Sequence, residues 1–277
     1  MANRRRPHGG PSRGPRPQGG GPPPPGAKPK DGPGIKNPYV RFRPLVKPPL
    51  MKATTTLWDY PSQTYTKEEK RYRGATPSWV IWQVIEAWTK EGELVVDPFC
   101  GSGTTLDVAK DLKRKGRGFD IAPRDIHQRD DVEKADARKL PLQDRSVDLV
   151  FFDPPYADNL TYSSEKQCIG KLSAKDGTWG KAMMQVVAEA KRALKARGYL
   201  AMFVSDILHA RGGDRVFHPL GLQLAMIAED AGLEMVDHVA VVRHGKALEE
   251  GPGKLQAQRE GFLLRGFSHL VVFRKTM

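Results

Sequence analysis

The sequence predicts an α/β protein with a doubly wound, mostly parallel sheet. From residue 76 onward, short apolar segments of strand length alternate with segments of helical periodicity. Two of the strand-like segments, ELVVD and VDLVFFD, end in an aspartate followed by a turn, as strands do at the carboxyl edge of such a sheet. The last two predicted strands are expected to be antiparallel.

The first predicted helix begins at the Thr76-Pro77 pair. Thr76 is expected to cap the helix, and Pro77 suits the first turn. The apolar positions that follow share one helix face: Val80, Ile81, Val84, Ile85 and Trp88.

The later elements follow in alternation. Further helices are predicted at 104–115, 177–197 and 220–231. Strands are predicted at 93–97, 118–121, 132–135, 147–153, 199–205, 234–243 and 262–273.

The composition favours a polyanionic partner. The chain has 277 residues and carries 45 lysines and arginines against 32 aspartates and glutamates, a net charge of +13. Its two cysteines, Cys100 and Cys168, are too few for a disulfide framework and indicate a reducing compartment. The histidines show no HxxxH spacing, and no apolar stretch approaches the ~18 residues of a membrane helix. We therefore expect a cytoplasmic protein with neither a metal nor a membrane partner, and of undetermined oligomeric state.

Three regions differ in composition. Pro and Gly make up 19 of the 37 residues in the segment 1–37, which predicts a disordered basic tail. The tail either follows a phosphate backbone or serves as a solubilising extension. Residues 38–75 form a basic flank with interspersed aromatic residues, and residues 76–277 form one folded domain.

The first group of candidate functional residues lies in a glycine-punctuated turn between a strand and a helix. The turn reads Asp97, Pro98, Phe99, Cys100, Gly101, Ser102, Gly103, Thr104 and Thr105. It matches neither a GxGxxG loop nor a Walker A loop. The glycines permit close backbone approach, and Asp97 can accept a hydrogen bond from a ligand amine. Asp120 and Asp136 follow the next two strands, and with the turn they outline a nucleoside-like pocket.

The second group is Asp153-Pro154-Pro155-Tyr156, directly after the most apolar strand. Two prolines cannot continue a central strand, so the chain leaves the sheet in a stiff turn. This turn leaves the Asp153 carboxylate and the Pro154 carbonyl as acceptors beside the flat ring of Tyr156. A planar group with two N–H donors would fit there.

Together, the two motifs resemble the S-adenosylmethionine-dependent amino-methyltransferases of nucleic acids, especially the DNA N6-adenine and N4-cytosine methylases. The resemblance implies a class I, Rossmann-like methyltransferase domain over 76–277, with S-adenosylmethionine as cofactor. It assigns the ribose of the cofactor to Asp120, its adenine to Asp136 and its methionine part to five residues of the turn: Asp97, Phe99, Gly101, Gly103 and Thr104. Pro98, Cys100 and Thr105 complete the expected cofactor-binding residues of the turn. Thr76 and Pro77 are similar to the helix start that closes over the cofactor. Asp153 to Tyr156 would be the catalytic group.

The resemblance also implies a reaction. Hydrogen bonds from an exocyclic amine to Asp153 and the Pro154 carbonyl would direct its lone pair at the methyl group, and Tyr156 would stack on the base. C5-cytosine methylation is disfavoured because neither cysteine follows a proline. Cys100 is expected to be a packing residue.

The nature of the nucleic acid stays open. Only 121 residues follow Tyr156, which leaves little room for a separate recognition domain. Loops at 158–173 and 206–218 are expected to border the substrate groove, with Tyr162, Arg211 and Arg215 as nucleic-acid contacts. DNA is favoured over RNA; the alternatives are an RNA guanine-N2 methyltransferase and a nonenzymatic nucleic-acid-binding relative.

Overall fold

The computed structural model describes residues 53–59, 76–123, 129–157, 160, 162–211, 214–243 and 252–277. The predicted tail at 1–37 lies outside the described residues, as does most of the flank at 38–75. The division into three regions therefore stays a prediction.

The described helices and strands alternate along most of the chain. The helices are α1 (Ser78–Trp88), α2 (Thr104–Asp111), α3 (Thr178–Ala193), α4 (Leu220–Asp230) and α5 (Pro252–Glu260). The strands are β1 (Leu57–Trp58), β2 (Leu94–Asp97), β3 (Lys115–Asp120), β4 (Val132–Lys134), β5 (Val147–Phe152), β6 (Leu194–Val204), β7 (Ile207–Arg211), β8 (Asp214–His218), β9 (Glu234–Val242) and β10 (Phe267–Arg274).

One sheet contains eight of these strands, in the order β1-β9-β10-β6-β5-β2-β3-β4. β2 pairs in parallel with both β3 and β5, and β5 pairs in parallel with β6. β10 is antiparallel to β6 and to β9. The predicted class I arrangement, a doubly wound and mostly parallel sheet with an antiparallel carboxy-terminal strand, is confirmed.

Side chains alternate between the two faces of the sheet. In β6, Leu200 and Met202 pack on the face covered by α3 and α4, while Ala201 packs on the face covered by α1 and α2. Phe151 and Phe152 of β5 are buried on opposite faces, as expected of core residues. Each such phenylalanine contributes about 1.5–3 kcal/mol through burial.

Three predicted helix boundaries were wrong. The side chain of Thr76 does not cap α1; Pro77 occupies the capping position, and no side chain bonds the first turn. α2 ends at Asp111 rather than at 115, because Lys113 adopts φ 60° and turns the chain into β3. α3 ends at Ala193 rather than at 197, because Leu194 already pairs with Val147 of β5.

The sequence patterns missed several short elements. Strand β1 extends the sheet by pairing in parallel with β9. β7 and β8 form a hairpin inside the predicted loop at 206–218. α5 lies between β9 and β10, and β10 begins at Phe267 rather than at the predicted residue 262.

Candidate functional site

Both predicted motifs line one cavity of about 540 Å³ at the carboxyl ends of the parallel strands. Most of the predicted site residues contribute to its wall: Thr76, Asp97, Pro98, Phe99, Cys100, Gly101, Thr104, Thr105, Asp120, Asp136, Asp153, Pro154, Pro155, Tyr156 and Tyr162. Pro77 and Gly103 lie adjacent in sequence but outside the wall. In doubly wound sheets, ligands bind at this edge, in the crevice where the strand order reverses.

The 97–105 turn is shaped by two glycines with left-handed backbone conformations. Gly101 has φ 49° and Gly103 has φ 85°, values that residues with a Cβ atom rarely adopt. The Gly103 N–H donates to the Cys100 carbonyl at 2.7 Å, which closes the turn before α2 begins. Cys100 is buried, and its Sγ lies 2.8 Å from the position a Cβ on Gly118 would take, so the thiol acts as a packing group.

Asp97 is buried at the base of this turn. Its Oδ1 accepts a 2.9 Å hydrogen bond from the Phe99 N–H, and its Oδ2 accepts a 2.5 Å bond from the Thr105 hydroxyl. Burial outweighs these bonds and raises the pKa of Asp97 to about 7. Asp97 therefore fixes the turn, and a cationic or N–H donor partner nearby would favour its charged form.

Arg129 holds the outer side of the same turn. Its guanidinium lies 2.7 Å from the position a Cβ on Gly103 would occupy. It forms ion pairs with Asp107 of α2 at 2.8 Å and with Asp131 at 2.7 Å. These contacts connect α2 to the segment before β4, and only a glycine at position 103 leaves room for them.

Asp120 and Asp136 line the cavity but already accept hydrogen bonds from the chain. Asp120 accepts the N–H groups of Gly101 at 3.2 Å and Ala122 at 2.8 Å. Asp136 is paired with Arg138, which lowers the pKa of this carboxyl despite partial burial. Each carboxylate oxygen has two lone pairs, so both residues keep capacity for a ligand donor.

Asp153 lies at the end of β5, opposite the glycine turn. Its Oδ2 accepts a 2.7 Å hydrogen bond from the Thr76 hydroxyl. Its Oδ1 is buried and has no hydrogen-bond partner among the residues the structure describes. Burial raises the pKa of Asp153 to about 7, although the nearby Tyr156 and Thr76 hydroxyls lower it. An unpaired acceptor of this kind is an energetic cost unless a ligand supplies the donor.

The Pro-Pro turn is fixed by aromatic residues from two other segments. Trp179 of α3 is fully buried, and its Nε1 donates to the Pro155 carbonyl at 2.8 Å. The Tyr156 N–H donates to the Tyr162 hydroxyl at 3.2 Å, and the Tyr162 ring packs where a Cβ on Gly170 would clash. Tyr162, a predicted nucleic-acid contact, thus supports the turn from inside the cavity wall.

Two further predicted contacts lie outside the cavity wall. Arg215 forms an ion pair with Glu260 and lies 4.2 Å above the Phe262 ring. Arg211 ends β7, and its side chain is outside the described part of the chain. Phosphate contact by either residue stays a prediction.

A second polar network adjoins the cavity at the end of β6. Asp206 lines the cavity, and its Oδ2 lies 3.0 Å from the Nε2 of His269. His269 in turn contacts His238 at 2.9 Å. Sequence reasoning missed this network, as it missed Arg129 and Trp179, because the partners are far apart in the chain and match no short motif.

Within the described ranges, no group of three His, Cys, Asp or Glu side chains could hold a metal ion. Nor does the described part of the chain contain a helix that is both long and apolar enough to span a bilayer.

Comparison with known proteins finds a family that matches the part of the chain containing the glycine turn. Residues 27–129 match a family model described as DNA methylase, for N6 and N4 methyltransferases. The Type II methyltransferase M2.LlaDCHI of Lactococcus lactis subsp. cremoris is 42% identical over 59 residues, which cover 20% of this chain and 22% of that protein. The predicted resemblance to the DNA methylases is confirmed over this part of the chain. The chain therefore aligns with about a fifth of the length of the DNA methylases it matches.

Two other known proteins match a larger share of this chain. The U6 snRNA (guanine-N(2))-methyltransferase THUMPD2 of Bos taurus is 24% identical over 176 residues, which cover 58% of this chain and 31% of that protein. The [4+2]-cyclase SpnF is 18% identical, with a TM-score of 0.50 over 79% of this chain and 86% of that chain. The likeness to SpnF concerns the fold alone.

Proposed function

We propose that this chain transfers the methyl group of S-adenosylmethionine to an exocyclic amine of a DNA base, adenine N6 or cytosine N4. The observation that carries the proposal is the Asp153 carboxylate, which contributes to the wall of the cavity shared with the glycine turn and whose Oδ1 is buried without a hydrogen-bond partner among the described residues. An N–H donor on a flat ring is the ligand chemistry that such an acceptor selects.

The residues of the cavity fit S-adenosylmethionine. A volume of about 540 Å³ is within the range of small-molecule sites and is lined by carboxylates suited to an amine and to ribose hydroxyls. Asp97, buried and with a raised pKa, is stabilised in its charged form by a cation. Gly101 lines the cavity in a left-handed conformation without a side chain, so its backbone can approach the ligand closely.

The bound cofactor would supply an electrophilic methyl group on a sulfonium centre. The chain would contribute positioning. Asp153 Oδ1 would accept one N–H of the amine, and the Pro154 carbonyl the other, so that the nitrogen lone pair points away from the ring and toward the 97–105 turn. Trp179 and Tyr162 hold the Pro-Pro turn in place for this contact.

Asp153 would accept the amine hydrogen bond most strongly in its ionised form. Its pKa of about 7 leaves a mixture of forms at neutral pH. After transfer, the methylated amine carries an extra proton, which the ionised Asp153 carboxylate would accept to leave the neutral product. The Thr76 hydroxyl stabilises the ionised form through Oδ2.

A DNA substrate is supported by the DNA methylase match and by the net charge of +13. One observation favours a second candidate, an RNA guanine-N2 methyltransferase. The THUMPD2 match covers 58% of the chain, far more than the match to M2.LlaDCHI. Guanine N2 is likewise an exocyclic amine with two N–H donors, so Asp153 would serve it equally well.

The test uses methyl-labelled S-adenosylmethionine with host DNA unmodified at the target and total host RNA in parallel, followed by nucleoside identification. Label in N6-methyladenine or N4-methylcytosine is expected, with loss of label in Asp153→Ala. Label in N2-methylguanine of RNA would instead establish the second candidate. Cofactor binding without any label in either polymer would contradict both and favour a nonenzymatic nucleic-acid-binding relative.

A further inference from the structure

The rim of the cavity carries an exposed leucine on a fixed segment between α5 and β10. Leu263 lines the cavity and is 81% exposed, about twice the exposure of Leu160, another leucine of the cavity wall. Exposed leucines are ordinary on protein surfaces. At 81% exposure, packing within the protein does not account for the position of Leu263 on the cavity wall.

Contacts at both ends of the segment hold Leu263 in this position. Before it, Arg215 pairs with Glu260 and lies over the Phe262 ring. After it, the Arg243 N–H donates to the Gly266 carbonyl at 2.9 Å. The Leu263 side chain is thus presented to solvent by a backbone that is anchored on both sides.

Cationic side chains stand beside this leucine. Arg243 and Arg265 also line the cavity, and Arg265 donates to the Leu263 carbonyl while its guanidinium lies 5.0 Å from the centre of the Phe217 ring. An exposed apolar side chain on a cavity wall that also carries two arginines suits a duplex, in which stacked bases lie between phosphates.

We propose that Leu263 is a wedge that enters the base stack of duplex DNA and fills the space left by the target base. This inference rests on the proposed function. Because Asp153 lies in the wall of the cavity, a base can reach it only after leaving the stack. Leucine is one of the apolar side chains that separate base steps, and inserting it lowers the cost of the gap. Arg243 and Arg265 would hold the flanking phosphates.

The proposal predicts a loss that depends on the form of the substrate. In Leu263→Ala, kcat/KM for duplex host DNA should fall roughly tenfold, since the gap left by the target base is then unfilled. For the same DNA after heat denaturation, kcat/KM should stay within about twofold, because no stack needs opening. Leu263→Met should restore duplex activity, as methionine also serves as a wedge.

Leu255→Ala is the matched control. Leu255 is another highly exposed leucine, on α5, and does not contribute to the cavity wall. Leu255→Ala should leave kcat/KM unchanged for both duplex and denatured DNA. Equilibrium binding of duplex DNA, measured without turnover, should weaken in Leu263→Ala and not in Leu255→Ala.

If Leu263→Ala lowers kcat/KM equally for duplex and denatured DNA, Leu263 has a packing role and the wedge is overturned. Unchanged kcat/KM for both forms of DNA would also overturn the wedge. If the wild-type protein labels neither form of DNA, the proposed DNA methylation itself fails. If it labels RNA alone, the duplex DNA wedge is excluded and the RNA candidate stands.

Discussion

The Thr76 hydroxyl donates a 2.7 Å hydrogen bond to Oδ2 of Asp153, across 77 residues of sequence. This contact joins the entry to α1 with the carboxyl end of β5. Thr76 thereby supports the ionised form of a carboxylate whose burial favours the neutral form. The residue that was expected to cap a helix instead sets the charge of the candidate catalytic group.

Thr76→Val should shift the pH dependence of methyl transfer upward. Loss of the hydroxyl removes a bond that lowers the pKa of Asp153, so a higher pH is needed to ionise the carboxylate. Activity should therefore fall most below pH 7 and recover in part at higher pH. The measurement is kcat/KM for the nucleic acid from pH 6 to 9.

Thr76→Ser is the matched control for this profile, because serine keeps the donating hydroxyl. It should leave the midpoint unchanged. An equal drop at every pH in Thr76→Val would show that Thr76 acts through packing and not through the charge of Asp153.

Asp153→Asn should abolish transfer and stabilise the fold above pH 7. A carboxyl with a folded pKa of about 7 and an ordinary value of 3.8 binds more protons when folded across that interval. The free energy of unfolding therefore falls as pH rises from about 4 to 7 and levels off above 7. The neutral amide avoids this cost, so Asp153→Asn should be more stable at pH 8 by on the order of 1–3 kcal/mol.

Denaturant unfolding of both proteins at pH 4.5 and at pH 8 checks this expectation. The difference should shrink toward the lower pH, where Asp153 is protonated in the folded state. If the difference in the free energy of unfolding does not change with pH, the fold does not disfavour the ionised form of Asp153.

The sequence predicted most of the sheet because the central strands are short apolar segments, two of which end in an aspartate followed by a turn. The aspartates of both motifs could be placed at one edge for the same reason, since carboxyl ends of parallel strands share an edge. The roles of individual site residues stay predictions, although the cavity brings most of them together.

Other features could not be read from the sequence because they depend on partners far along the chain. β1 has only two residues and exists by pairing with β9. Lys113 ends α2 with a backbone conformation that no local pattern specifies. Arg129 reaches Gly103 from the segment between β3 and β4, so this contact depends on how the connections pack together.

Arg129→Gln should weaken cofactor binding. The change leaves the Asp107 and Asp131 carboxylates without their shared cation and leaves space beside Gly103. Stability should fall by about 2–4 kcal/mol, as for other partly buried ion pairs that lose one member. The Kd for S-adenosylmethionine, measured by calorimetry, should rise roughly tenfold as the glycine turn loosens.

Arg117→Gln tests whether this effect belongs to Arg129. Arg117 pairs with Glu133 at 3.0 Å in an exposed position. Such pairs contribute about 0–1 kcal/mol, and Arg117 does not line the cavity. Equal effects of the two substitutions on cofactor affinity would refute a specific role for Arg129.

Trp179→Phe should reduce methyl transfer while leaving cofactor binding nearly unchanged. The Trp179 Nε1 donates to the Pro155 carbonyl, just before Ala157, which adopts φ 48°. Without this donor, about 1 kcal/mol of hydrogen bonding is lost and the Pro-Pro turn is held less firmly. Asp153 is then positioned less accurately against the amine, so kcat should fall about tenfold or more, with little change in the Kd for S-adenosylmethionine.

Trp82→Phe is the control that separates the hydrogen bond from the loss of indole volume. The Trp82 Nε1 is buried without a hydrogen-bond partner in the described part of the chain, so its replacement removes no such bond. We expect Trp82→Phe to retain wild-type kcat. If Trp179→Phe instead lowers cofactor affinity as much as kcat, the tryptophan supports the whole cavity, and the specific link from α3 to the Pro-Pro turn is refuted.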